Sequence, residues 1–244
     1  MPYLLVDRRR SRSLKRTATA LRDGGARAVE LGFPFSDPIA DGPVLETAHD
    51  RALRAGTSWA DLLSACRTVS PILPTAVMTY GNPLWHRGLS TALRELAHAG
   101  ATGLIVPDLP LEESPAFRAA SRAAGLSLVL LAAPGVTRAR LERIAQSSQG
   151  FLYLVSRYGT TGSQGGAASV DLRPLVSAAH RAAPELPVLL GFGVRDRASA
   201  AAAMATGADG IIVGSALEAR IARGDSPEAL TDWVRSLSVT SRRR

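Results

Sequence analysis

The chain has 244 residues, 46% of them hydrophobic and 20% charged, with 29 Lys+Arg against 21 Asp+Glu and a net charge of +8. This is the composition of a packed globular protein of one large domain or two small ones, and it excludes disorder along the whole length. Cys66 is the single cysteine, which excludes an internal disulfide and a cysteine-based zinc cluster and fits a reducing, cytoplasmic setting. Lys15 is the only lysine, so the surplus charge is arginine beside abundant alanine, a coding bias rather than a nucleic-acid face. Arg8-Arg9-Arg10-Ser11-Arg12 near the start stands apart, and Arg242-Arg243-Arg244 belongs to a solvated basic tail at about 240–244. No apolar run approaches the roughly 18 residues of a membrane-spanning helix, and the first one, 3–6, is too short for an export signal.

In chain order, a strand-like run at 2–6 precedes a helical stretch at 13–23, and one at 28–32 precedes helices at 44–55 and 59–69. Strands at 75–80, 103–107 and 127–133 are followed by helices at 90–98, 114–124 and 138–146. Strands at 150–156, 187–193 and 210–215 are followed by helices at 173–183, 198–206 and 216–223, with a last helix at 227–238. Runs of this kind, mostly apolar and bounded by Gly, Pro or Asp, suit strands buried on both faces of a parallel sheet. Gly25, Gly100, Gly125 and Gly207 close helices just before strands, and Ser226-Pro227 opens the last helix. Eight βα units over 1–244 predict an α/β fold, a single (β/α)8 TIM barrel, with a doubly wound open sheet as the other possibility.

In such a barrel the chemistry sits at the C-terminal strand ends. Glu30 stands in an otherwise apolar strand end, where desolvation raises a carboxyl's pKa into the range of a general acid; the competing reading is an ion pair with an arginine. The loop 34–43 holds Asp37 and Asp41; Asp41 could reach over the barrel mouth toward Glu30 for electrostatic work, and turn chemistry is the other reading of both. Gly159-Thr160-Thr161-Gly162-Ser163, Gly191-Phe192-Gly193 and Gly214-Ser215-Ala216 are glycine-rich strand ends that suit a phosphate, the last opening a helix. His49, His86, His98 and His180 match no metal-ligand spacing and are expected at the surface. No nucleophile motif or Walker-type loop is present.

The segment Glu30-Leu31-Gly32-Phe33-Pro34-Phe35-Ser36-Asp37-Pro38-Ile39-Ala40-Asp41-Gly42-Pro43 resembles the signature of the tryptophan synthase alpha chain family. The likeness continues through 78–83, 106–114, 153–162, 191–193 and 213–216. The resemblance implies a lyase that cleaves indole-3-glycerol phosphate by a retro-aldol step to indole and glyceraldehyde 3-phosphate. It makes Glu30 the acid that protonates indole C3, Asp41 the partner of the indole N–H, and Tyr153 a neighbour of the glutamate. It makes Gly162, Gly193, Gly214 and Ser215 the phosphate cradle. Tyr3, Tyr80, Ile105 and Phe192 would line the indole pocket, and Thr161 would belong to a closing lid. The family's alpha chain needs no cofactor. It joins a pyridoxal-phosphate-dependent beta chain as two alpha and two beta, and Pro34, Asp37, Pro38 and Asp108 match that surface. No metal, nucleic acid or membrane is implied.

Three departures from the pattern stand out. The chain reaches its first strand without the family's extra N-terminal helix, which would leave an apolar barrel floor open. Asp7-Arg8-Arg9 replaces the acidic turn after the first strand, placing positive charge near the mouth for an anionic substrate or an altered partner surface. The lid segment 163–168 is glycine-rich and lacks the usual basic residue. Alternative roles are a weakly active paralogue that mainly activates a beta chain, a stand-alone indole-forming lyase of specialised metabolism, and a phosphate-binding barrel with another substrate.

Overall fold

The computed structural model describes residues 1–155, 171–191 and 193–238. The strand-like runs form short parallel strands: β1 (Tyr3–Leu5), β2 (Val29–Gly32), β3 (Thr75–Met78), β4 (Gly103–Ile105), β5 (Ser127–Val129), β6 (Leu131–Ala132), β7 (Leu152–Val155), β8 (Val188–Gly191) and β9 (Gly210–Ile211). Each pairs with the next, β1 to β5 in one sheet and β6 to β9 in another. The run expected at 127–133 is interrupted at Leu130, whose N–H donates to Ser148 Oγ at 2.9 Å. Its carbonyl still accepts the Tyr153 N–H at 3.1 Å, so β5 and β6 are two parts of one barrel strand. The ring closes where Pro2 bridges Val213 in parallel and the Tyr3 N–H donates to the Val213 carbonyl at 2.9 Å. The result is the eight-unit TIM barrel.

The period-two alternation of a strand sorts side chains to two sides of this ring. Leu4, Val29, Leu31, Val77, Leu104, Leu128 and Leu154 face the outer shell of helices. Tyr3, Leu5, Ala76, Met78, Ile105, Val129 and Tyr153 fill the interior. Parallel register sets Tyr3 beside Glu30 and Glu30 beside Ala76, so Glu30 occupies the inward row between two outward apolar residues. Two glycines make room for the interior tyrosines. A Cβ on Gly32 would lie 2.0 Å from the Tyr3 hydroxyl, and one on Gly191 would lie 2.2 Å from the Tyr153 ring. Gly32→Ala is therefore expected to displace the Tyr3 ring and lower stability by about 1–3 kcal/mol, read by urea denaturation. An unchanged midpoint would show that the ring moves aside at no cost.

The helices are α1 (Ser11–Asp23), α2 (Pro43–Arg54), α3 (Trp59–Val69), α4 (Gly81–Arg87), α5 (Leu89–His98), α6 (Ser114–Ala124), α7 (Arg138–Ser147), α8 (Arg173–Ala182), α9 (Arg197–Met204), α10 (Ser215–Ala222) and α11 (Pro227–Leu237). Ser226 caps α11 as expected, accepting the Ala229 N–H, and Gly125 ends α6 in the left-handed conformation. Helix α4 was not expected from the sequence. Its first N–H, on Gly81, donates to both carboxylate oxygens of Asp108 at 2.9 and 3.2 Å, so its cap arrives from another loop.

The arginines after β1 correct an expectation. They form a short 3-10 turn, Arg8–Arg10, opened by Asp7, and their charge is largely answered within the chain. Arg9 pairs with Asp7 and Arg10 with Glu218, each at 2.7 Å, and Arg51 lies 3.6 Å from Asp7 and 3.7 Å from Glu218. Glu218 is buried and also accepts the Leu5 N–H at 3.1 Å. Burial pushes the Asp7 carboxyl up, but hydrogen bonds from Arg9 and the charges of Arg9 and Arg10 outweigh it and hold the group below the usual carboxylate range. This loop is an internal clamp from β1 to α2 and α10, and it does not present an unanswered cluster to an anionic substrate.

At the N-terminal strand ends a cavity of about 710 Å³ opens, lined in part by Met1, Pro2, Phe151, Leu189, Trp233 and Leu237. Among the described residues no helix is long and apolar enough to cross a membrane.

Candidate active site

Glu30 is fully buried, and among the described residues neither carboxylate oxygen has a hydrogen-bond partner. No arginine among the described residues pairs with Glu30. Burial, reinforced by the nearby Asp41 charge and opposed by the chain's amino terminus, raises its pKa to about 8. A carboxyl in this setting is protonated near neutral pH and can deliver that proton inside the barrel. Tyr3 and Tyr153 share the interior with it, and burial together with the Glu30 and Asp41 charges raises both phenols well above their ordinary range.

The loop between β2 and α2 brings Asp41 over this row. Asp41 is 1% exposed. The Tyr80 hydroxyl donates to its Oδ2 at 2.9 Å and accepts the Ala40 N–H at 3.1 Å, while Phe35 stacks on the Tyr80 ring at 4.9 Å between centroids. Tyr80 thus ties the loop to β3 and also orients the carboxylate. Ile105, fully buried, completes the apolar wall from β4.

One cavity brings the two ends of the expected site together. Tyr3, Asp41, Met78 and Tyr153 line it on one side, and Gly193, Gly214 and Ser215 on the other. Gly214 is the N-cap of α10 and makes no side-chain cap bond, so the first N–H groups of that helix remain available to an anion. Gly193 has a φ of +86°, which favours glycine at this turn. Thr161, Gly162 and Phe192 lie outside the described residues, as does the lid segment 163–168.

His49 departs from the surface placement expected of all four histidines. It is 2% exposed, with Nε2 3.3 Å from Asp41 Oδ2. The face of α2 formed by Leu45, Ala48, His49 and Ala52 is buried, and that i, i+3, i+4, i+7 pattern was the available signal. His86 and His98 are exposed as expected.

Of the expected partner residues, Asp37 is exposed, Pro38 is half-buried, and Pro34 is buried at the root of the loop. Asp108 is exposed and holds the start of α4. Beside them Ile39 is 73% and Trp85 56% exposed.

A family model described as tryptophan synthase alpha chain matches residues 1–240. The chain belongs to the tryptophan synthase alpha chain family. It is 41% identical over 221 residues to the alpha chain of Methanopyrus kandleri, covering 91% of this chain and 80% of that one. It is 42% identical over 242 residues to the alpha chain of a Cyanothece species, covering 93% and 87%. Among solved structures, tryptophan synthase of Mycobacterium tuberculosis matches with a TM-score of 0.86 at 37% identity, covering 97% of this alpha chain and 89% of that one. The Pyrococcus furiosus structure, described as the a2b2 complex in mutual activation, matches with a TM-score of 0.85 at 36% identity, covering 97% and 96%. The buried Glu30 and the Asp41 loop described above are thus features of a tryptophan synthase alpha barrel.

Proposed function

We propose that Glu30 is the general acid and Asp41 the electrostatic partner of the lyase reaction. The activity itself follows the family: this chain is an indole-3-glycerol-phosphate lyase acting in tryptophan biosynthesis. Protonated Glu30 gives its proton to indole C3, and the positive charge that develops on the ring nitrogen is stabilised by the Asp41 carboxylate. The bond between C3 and the glycerol side chain then breaks. Its electron pair returns to the ring, the hydroxyl on the departing carbon loses its proton and becomes the aldehyde, and the Glu30 carboxylate can take that proton back. Tyr3, Tyr80, Tyr153 and Ile105 form the walls, and Gly193, Gly214 and Ser215 receive the phosphate, with Gly162, Phe192 and Thr161 completing cradle, pocket and lid. This proton chemistry uses no cofactor from the alpha chain; pyridoxal phosphate belongs to the beta chain. The single buried thiol, Cys66, accords with a cytoplasmic location.

The observation that carries the reading is the fully buried Glu30, without a hydrogen-bond partner among the described residues and with its pKa raised to about 8. The exposed Ile39 and Trp85 beside Asp37, Pro38 and Asp108 support a docking surface there for the beta chain in a two-alpha, two-beta assembly. The test is indole release by the purified alpha chain from indole-3-glycerol phosphate, alone and with a beta chain. Indole is expected in both cases and faster in the complex; none in either would overturn the reading.

A further inference from the structure

We propose that His49 is a positioning residue that holds the Asp41 carboxylate with one oxygen turned to the substrate. The proposal rests on the reading that Asp41 receives the indole N–H. The argument begins with the tautomer. The Phe35 backbone N–H points at His49 Nδ1 at 3.0 Å. A backbone N–H can only donate, so Nδ1 accepts and the ring proton sits on Nε2. Nε2 faces two oxygens, Asp41 Oδ2 at 3.3 Å and the Tyr3 hydroxyl at 3.5 Å. The nearer and more strongly charged acceptor is Asp41.

Asp41 Oδ2 thus accepts the Tyr80 hydroxyl at 2.9 Å and lies 3.3 Å from the imidazole Nε2, which also meets the Tyr3 hydroxyl. Oδ1 has no donor among the described residues, and Asp41 lines the cavity. The two contacts come from different elements, Tyr80 from the end of β3 and His49 from α2. His49 also reaches the loop at its near end through Phe35. One side chain therefore meets the start of the loop through Nδ1 and the Asp41 carboxylate through Nε2. Because the developing ring charge strengthens the contact to Asp41 most in the transition state, disorder of that carboxylate lowers kcat more than it raises KM.

Two substitutions separate the two nitrogens. In His49→Asn the amide oxygen can replace Nδ1 toward Phe35, but no donor reaches Asp41. In His49→Gln the amide nitrogen extends to the Nε2 position and restores the donor. Indole release from indole-3-glycerol phosphate is measured for wild type, both variants, Asp41→Asn, and His49→Asn combined with Asp41→Asn. His49→Asn is expected to lower kcat about tenfold with KM changed less than about twofold, and His49→Gln to recover most of the loss. In the Asp41→Asn background, His49→Asn is expected to have no further effect. Wild-type kcat in His49→Asn, a Gln variant no better than the Asn variant, or an equal loss in both backgrounds would overturn the proposal. If His49→Asn does not fold, His49→Gln decides it: kcat within about threefold of wild type supports the donor role, and a larger loss refutes it. Unchanged kcat in Asp41→Asn would instead refute the underlying role of Asp41.

Discussion

Glu30→Gln is expected to lower indole release by about 10²–10⁴-fold while leaving the barrel folded. Glutamine fills the same space between Tyr3 and Ala76 in the register, but an amide cannot deliver a proton to indole C3. The pH dependence carries a second signature. The acid is active while protonated, and its pKa is raised to about 8. Wild-type kcat should therefore hold across neutral pH and fall as the pH passes about 8. A glutamate with an ordinary pKa would lose that form far below neutrality. Steady-state assays from pH 6 to 9 check both features. Substantial activity in Glu30→Gln would remove Glu30 from the mechanism.

The second large effect is on stability, and it comes from the same carboxyl. In the unfolded chain Glu30 titrates near its ordinary value of 4.5, whereas in the folded barrel burial moves it to about 8. The folded state therefore binds this proton more tightly. Its contribution is fully present below about 4.5 and is lost as the pH rises through about 8. Glu30→Gln, which stays neutral throughout, should become progressively more stable than wild type over that window. The gap approaches roughly 4 kcal/mol at its upper end, by the conversion of pKa shift to free energy. Urea denaturation of both proteins at pH 5, 7 and 9 measures it. A difference independent of pH would show that the carboxyl reaches solvent or a cation when it ionises.

These two expectations were legible early because a strand's alternation is strict. Val29 and Leu31 had to face the helices, so Glu30 had to face the interior. The glycine-rich strand ends at Gly193 and Gly214 were legible as short local patterns, and the structure sets both on one cavity, with Gly214 the N-cap of α10. His49 was not. Metal-ligand spacing compares a histidine with other ligands, whereas its burial follows from Leu45, Ala48 and Ala52 sharing its face of α2. The arginines at 8–10 were misjudged for a similar reason. The counter-charge of Arg10, Glu218, stands 208 residues away, and composition carries no such pairing. Helix α4 was missed because its cap, Asp108, lies 27 residues beyond Gly81. The break at Leu130 depends on Ser148, 18 residues away. Local periodicity reported what strands and helices decide by themselves. What it did not report was set by side chains arriving from other units.

The seam between β9 and β1 has a consequence for how the barrel is made. Met1 donates to the Ile211 carbonyl across 210 residues, and α11 rests on α1, with Thr231 donating to the Ala20 carbonyl at 3.0 Å. During translation, β1 can pair with β2 as soon as both have emerged, but its other edge must wait for nearly the whole chain. Until then that edge and the inward faces of Tyr3 and Leu5 are open to other strands, the setting in which a nascent chain self-associates. Closing so long a loop is slow even when its entropic cost grows only logarithmically. The final docking of β9 and α11 therefore converts a vulnerable half-ring into an edgeless one, and substitutions at this seam should lower soluble yield more than they lower the stability of the molecules that do fold.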